Sequence, residues 1–417
     1  MSDDGAFSGI RILDLTTIVV GPTATLRLAD QGAEVIKIES PAGDALRALG
    51  GPSPSGRMSG KYMHFNRSKR SVCLDIKKPG ARAVLERILA ECDVLVSNMR
   101  PEALARLGLD PETCHALNPR LIHATITGFG PGGAYRGRPA YDTVVQGVSG
   151  IAGLSLKRDG VPRYVPLLLC DHTVGEITAG AIAAALYRRE RTGHGAVIEV
   201  PMFETMAAFV LQENLGPSTF EPALGPVGDS RVLNPNNLPV QTLDGWISLS
   251  ANTDPQVAGF FRAIERPDLI DDPRYHSIAA RFENASEWFG LRAQSLLGKP
   301  TEYWLAAFER EDVPAMICHT LDSLPHDQHL EDVALLATCP HPTEGAVKTI
   351  RPTILVDGAP LPTGHAAHPL GWDTRDVLAD YGFDAPDVDA LVVEGAAVDG
   401  QADVERAPAP KVVGDDC

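Results

Sequence analysis

Along the first half of the chain, apolar and polar positions alternate between short β-branched runs and longer stretches of helical period. Gly9-Ile-Arg-Ile-Leu-Asp-Leu15 reads as a strand, Gly21-Pro22 opens a helix through about Gln31, and Glu34-Val-Ile-Lys-Ile38 reads as the next strand. The rhythm continues with a strand over 71–76, a helix over 80–91, and strands over 93–96 and 121–126. A helix over 171–190, a strand over 196–200 and a helix over 202–211 complete it.

The alternation predicts an α/β fold: a large Rossmann-like domain with a mostly parallel sheet, its N-terminal part spanning residues 1–213. Residues 214–239, rich in Pro, Gly and Asn, read as a linker. Between 240 and 320 the pattern changes to a hairpin, with Asp244-Gly245 at the turn of Val240-Gln-Thr-Leu-Asp-Gly-Trp-Ile-Ser-Leu249, and then to aromatic-rich helices. This stretch predicts a smaller α+β domain. Residues 321–395 return to the large domain through Pro-spaced strands and a helix over 374–381, and 396–417 read as a disordered tail.

Composition narrows the function classes. A chain of 417 residues with a formal net charge of −17 can form two domains, and it disfavours nucleic acid or an acidic membrane as partner. Any anionic ligand needs a local basic patch. The N-terminus lacks a basic region followed by an apolar core, and no apolar run approaches the roughly 18 residues of a membrane span. Seven cysteines without a C-x-x-C pair suit reduced thiols, so the expected location is cytoplasmic.

Asp171 opens a helix directly after the apolar stretch Val165-Pro-Leu-Leu-Leu-Cys170. A carboxylate there has two readings: a helix cap, or a nucleophile kept ionised by unpaired N–H groups and the helix dipole. Gly175, Ala179, Gly180 and Ala183 leave room for a backbone or a ligand against the same helix. The basic run Asn66-Arg-Ser-Lys-Arg70, with Lys77, Lys78, Arg100 and Arg106 beyond it, either grips the phosphates of a nucleotide-like ligand or is a solvated face. Gly128-Phe-Gly-Pro-Gly-Gly133 is interrupted by Pro131 and makes a poor dinucleotide fingerprint. Ser149 lacks the glycine frame of a nucleophile elbow, and His326, His329, His365 and His368 lack a metal-binding frame, so no metal site is expected.

Taken in order, Leu13-Asp-Leu15 with Gly21-Pro22, Gly32-Ala-Glu-Val-Ile-Lys-Ile-Glu39, the Asn66–Lys77 run, and Asp93-Val-Leu-Val-Ser-Asn-Met-Arg-Pro101 with Arg106-Leu-Gly108 carry a family signal. It continues through Arg138-Pro-Ala-Tyr-Asp142, the stretch from Asp171 to Gly175, Arg191-Thr-Gly-His-Gly195 and Arg266-Pro-Asp-Leu-Ile-Asp-Asp-Pro-Arg274. Together they resemble the family III CoA-transferases, which include formyl-CoA transferase and the carnitine and bile-acid CoA-transferases, with α-methylacyl-CoA racemase as a relative. The resemblance implies a CoA-transferase in which Asp171 attacks the donor thioester, passing through an acyl anhydride and an aspartyl-CoA thioester. It also implies a CoA site along Ile18, Leu74, Lys77, Asn98, Arg106 and Tyr141. CoA and its esters are then substrates, nothing is bound permanently, an acyl-CoA donor and an organic acid acceptor are the partners, and two chains form an interlocked homodimer. Tyr141 stands where the racemases have a catalytic histidine, with His172 and His123 left as other candidate bases. Val19 stands where formyl-CoA transferase has a glutamine, and the small domain lacks that enzyme's glycine triplet. The alternatives are a 2-methylacyl-CoA racemase and a non-catalytic acyl-CoA-binding protein of the same fold.

Overall fold

The computed structural model describes residues 5–405. Six parallel strands, β1 (Arg11–Asp14), β2 (Glu34–Glu39), β3 (Lys69–Leu74), β4 (Val94–Ser97), β5 (Ile122–Thr127) and β6 (Ala196–Pro201), lie in the order 3-2-1-4-5-6. Every residue of β4 is buried, as a central strand covered on both faces has to be. Successive side chains go to opposite faces. Ile12 packs with Val35, Val94 and Ile122 against the helices Val20–Ala29 and Leu169–Thr192, whereas Leu13 packs with Ile36, Val72 and Leu95 against Pro79–Glu91 and the C-terminal helices Thr374–Asp380 and Ala385–Val393. The fold is therefore a doubly wound α/β layer, as the alternation predicts.

The contacts divide the chain into two units. Of the described residues, the first comprises 5–149, 165–208 and 329–405; the second comprises 150–164 and 209–328. Residues 150–164, expected in the large domain, group with the second unit because their helix Ile151–Asp159 is tied there: Lys157 donates to the carbonyl of Val227. Residues 321–328 also group there, where Asp327 meets His319 Nε2 at 3.0 Å. The second unit has a three-stranded antiparallel sheet, Val240–Gln241, Trp246–Leu249 and Ala315–Ile317, and an aromatic core around Phe260, Phe261, Trp288, Trp304 and Phe308.

Order extends past residue 396, where the disordered tail was expected to begin. Ala396 is fully buried, Ala397 and Val398 pair antiparallel with Leu74 and Cys73, and Gly400–Glu405 is helical. The reason is local: a Cβ on Gly400 would stand 2.1 Å from the carbonyl oxygen of Leu370, so glycine lets the chain close over the β3 edge. The rest of the expected tail, residues 406–417, lies outside the described residues. No helix among the described residues is long and apolar enough to cross a membrane.

Candidate active site

In a sheet of order 3-2-1-4-5-6, successive connections run to opposite sides of β1 and β4, opening a crevice beyond their C-terminal ends. A cavity of about 380 Å³ sits there, within the first unit, lined by Thr17 and Ile18 after β1, Asn98 to Glu102 after β4, and Gly128 and Phe129 after β5. Tyr141 and Asp171 complete the wall. The structure thus brings Ile18, Asn98, Tyr141 and Asp171 together from four separate segments.

Ile18 has φ +69°, a conformation that strains a β-branched residue. Its surroundings hold it there. The Ile18 N–H donates to both oxygens of Asp44 at 3.1 Å, and Lys37 Nζ donates to the carbonyl of Thr16 at 2.7 Å. The amide and hydroxyl of Thr16 donate to Asp14 Oδ1 at 2.9 and 2.6 Å. From the side, Asn98 pairs with the backbone of Thr17 in both directions, at 2.9 and 3.0 Å. Behind the loop, a Cβ on Gly21 would stand 2.2 Å from Thr16 Cβ, so only glycine fits where the Val20 helix begins.

The cations of the basic run 66–70 are paired within the fold and supply this support, against its phosphate-binding reading. Lys69, 1% exposed, meets Asp14 at 3.2 Å, and Arg67 meets Asp30 at 2.5 Å. Arg70 bridges Glu34 and Asp380, and the neighbouring Lys37 meets Asp44 at 3.3 Å. Burial alone would raise the Asp14 carboxyl, but Lys69, Lys37 and two threonine hydroxyls outweigh it and hold it at about 2. One cation of the basic reading, Arg100, does face the cavity, together with two that the reading did not name. Arg100, Arg136 and Arg138 line it, and none of them meets a carboxylate among the described residues.

Asp171 is the third residue of the helix Leu169–Thr192, 7% exposed, and its carboxylate accepts no hydrogen bond from the described residues. The expectation that the helix start keeps it ionised fails for a specific reason. The N–H groups of Cys170 and Asp171 are already taken by Asp142 Oδ1, at 2.8 and 3.2 Å. Burial first, and then the like charge of Asp142, push Asp171 up to about 7. Asp142 and its partner Gln146 are the site residues that sequence reasoning missed. Their i, i+4 spacing was legible, but their contact with residues 165–171 is tertiary. Gly175 serves close packing: a Cβ there would stand 2.7 Å from Thr23 Cβ on the Val20 helix.

Three expected CoA contacts lie outside the cavity. The Leu74 side chain is fully buried in the core and its backbone pairs with Ala397, so it offers a ligand no side-chain surface. Lys77 and Arg106 are exposed and do not line the cavity. The candidate bases are also displaced. His123 is fully buried, with Nε2 on the carbonyl of Leu109 at 2.9 Å, and His172 meets the Phe65 ring at a tilt without lining the cavity.

Comparison with known proteins agrees with this layout. The model of CoA-transferase family III matches residues 7–374. The succinate–glutarate CoA-transferase of Agrobacterium fabrum is 31% identical over 89% of this chain and 95% of its own length. The acetyl-CoA:oxalate CoA-transferase of Acetobacter aceti is 35% identical over 74% of this chain and 80% of its own. Among solved structures, a CAIB/BAIF family protein from Brucella suis superposes with a TM-score of 0.77 at 27% identity, covering 91% of this chain and all of that one. With the family model spanning nearly the whole chain and named transferases aligned along most of it, the chain belongs to CoA-transferase family III and is a CoA-transferase.

Proposed function

We propose that Asp171 is the covalent nucleophile of a transfer of coenzyme A between two carboxylic acids. The observation that carries this is a nearly buried carboxylate with no hydrogen-bond donor among the described residues, at the wall of the cavity beyond β1 and β4. In the first step an Asp171 oxygen bonds to the donor acyl carbon, the C–S bond breaks, and CoA leaves as thiolate. The thiolate then attacks the Asp171 side-chain carbonyl of the mixed anhydride, forming an aspartyl-CoA thioester and releasing the donor acid as carboxylate. The acceptor carboxylate attacks that thioester, giving a second anhydride and free thiolate. Attack of the thiolate on the acceptor carbonyl yields the new acyl-CoA and restores Asp171. Charge and atoms balance without redox chemistry or a permanently bound cofactor.

The geometry supports these steps. The first turn of the Val20 helix has no side-chain cap, and Val20 lines the cavity, so its N–H groups are available to an oxyanion on the acyl carbon. A cavity of about 380 Å³ suits an acyl group and not a whole CoA, so the nucleotide lies outside it, where the exposed Lys77 and Arg106 are candidates to meet its phosphates. The unpaired Arg100, Arg136 and Arg138 favour acids carrying a second carboxylate, the class acted on by the Agrobacterium and Acetobacter relatives. Among the described residues no histidine lines the cavity, which disfavours the racemase. Exposed apolar side chains such as Ile177, Tyr187, Val197 and Phe209 suit burial in a homodimer, and the chain's composition suits the cytoplasm.

The test is an exchange assay over a matrix of donor acyl-CoAs and acceptor acids, read by mass spectrometry of the CoA esters. Wild type should form new esters, with succinyl-CoA and short dicarboxylates among the best pairs. Asp171→Ala should lose at least about 10³-fold in rate while still binding CoA. Retained turnover in that variant rules the nucleophile out.

A further inference from the structure

We infer that Asp142, locked in place by Gln146, is a positioning residue for Asp171: it holds the first turn of the nucleophile's helix by the backbone and keeps a negative charge beside the attacking carboxylate. The inference rests on the reading of Asp171 as the acylated residue.

The arrangement is built and buried. Asp142 is 3% exposed; its Oδ1 accepts from the N–H groups of Cys170 and Asp171, and its Oδ2 accepts from Gln146 Nε2 at 2.6 Å. Gln146, fully buried, accepts from the Val165 N–H at 2.9 Å and donates to the carbonyls of Val165 and Leu167 at 3.3 and 3.0 Å. Val165 is where the chain re-enters the first unit, so Gln146 fastens the segment that leads directly to the nucleophile.

Two consequences follow. The N–H groups that a helix would ordinarily offer its own N-terminal carboxylate are occupied, so the Asp171 carboxylate is left to the cavity. The pair of carboxylates also has no neutralising cation bonded to it among the described residues. The other charged or titratable groups around Asp171 are Cys170, His172 and Glu176 on its own helix, Arg27 paired with Glu176, and the cavity-lining Arg100, Glu102, Arg136, Arg138, Tyr141 and Glu199. Repulsion between Asp142 and ionised Asp171 exists before attack and vanishes in the anhydride, where the charge has moved to sulfur. That difference favours attack, and the shift of Asp171 to about 7 reports it together with burial.

Two variants separate charge from support. Asp142→Asn keeps an oxygen acceptor for the two N–H groups and removes the charge; Asp142→Glu keeps the charge and moves it. The readout is kcat/KM for CoA exchange against pH, whose acid limb reports the free enzyme, with hydroxylamine trapping of acylated Asp171. For Asp142→Asn the acid limb should move down by about one pH unit or more, and the alkaline plateau of kcat should fall about tenfold. Asp142→Glu should lose rate with its limb in place. A cap that acts only structurally lowers the rate of Asp142→Asn without moving the limb, and that result overturns the inference. If the Asn variant does not fold, Asp142→Ser removes the charge and leaves a hydroxyl acceptor; the same shift is expected, and an unmoved limb overturns the inference equally. Absence of any trapped acyl group on wild-type Asp171 overturns the nucleophile itself, whatever the Asp142 variants do.

Discussion

Asp14 and Asp171 are both nearly or fully buried aspartates close to the same crevice, and their surroundings drive them in opposite directions. Asp14 is fully enclosed, yet Lys69, Lys37, Thr16 and Thr25 hold it ionised at about 2. Asp171 is buried with no cation bonded to it among the described residues, and it sits beside Asp142, so it rises to about 7. Burial acts on both in the same sense; the partners decide the outcome. The paired carboxylate holds the Thr16–Ile18 loop in a strained shape, whereas the unpaired one is left basic near neutral pH, as the nucleophilic role proposed for it requires.

Replacing Asp171 breaks the comparison most directly. Asp171→Asn should abolish CoA transfer, by at least about 10³-fold, while raising stability at alkaline pH. The sign follows from proton binding. Native Asp171 keeps its proton up to about 7 and the unfolded side chain only to about 3.8, so the native state binds the extra proton between those values and is destabilised as pH rises through them. An amide removes that dependence. At about pH 8 the variant should melt a few degrees above wild type, and the difference should vanish toward about pH 4, as scanning calorimetry can measure. A variant no more stable than wild type at pH 8 contradicts the raised value.

Asp14→Asn makes the opposite change. It leaves Lys69 buried without its carboxylate, while Lys37 keeps Asp44, and should cost about 3–5 kcal/mol in urea unfolding, since breaking one half of a buried pair strands the other charge. Unlike the Asp171 contribution, that of Asp14 is present at neutral pH and lost only as pH falls below about 4 toward about 2. A smaller effect comes from Asp44→Ala, which frees the Ile18 N–H and Lys37 together. About 1–3 kcal/mol of stability should be lost, and kcat should fall more than KM rises because the loop relaxes without losing its side chains. Equal loss in Ile18→Gly with Asp44 intact would place the effect in the side chain of Ile18 and not in its backbone.

The same contrast explains what was legible in the sequence. Strands β1 to β6 and the helix before β2 follow from local period and β-branching, and the family motifs point to Asp171 and to the Ile18, Asn98 and Tyr141 walls. Charge was misread where adjacency in sequence stood in for adjacency in space. Residues 66–70 are basic together, but β3 points Lys69 into Asp14, and Arg67 and Arg70 reach Asp30, Glu34 and Asp380. The cavity's cations come from two other loops, at Arg100 and at Arg136 and Arg138, and form no run. Asp142 escaped for a related reason: its effect on Asp171 passes through backbone N–H groups 28 and 29 residues away, which no local pattern encodes.

The smallest expected effect separates those two sets of arginines. Arg138 is exposed at the cavity with only the Tyr135 ring beside it, whereas Arg70 is shared between Glu34 and Asp380. An exposed charge contributes about 0.2–1 kcal/mol, so Arg138→Gln should raise KM for a dicarboxylic acceptor by no more than about fivefold and leave a monocarboxylic acceptor of the same length unchanged. Added salt should shrink the difference, because screening acts on solvent-exposed pairs. Arg70→Gln should leave both KM values alone and lower stability slightly, since its carboxylate partners lie on the protein and not on the substrate. An equal KM change in the two variants would mean that pairing within the fold does not decide which cations meet the acid.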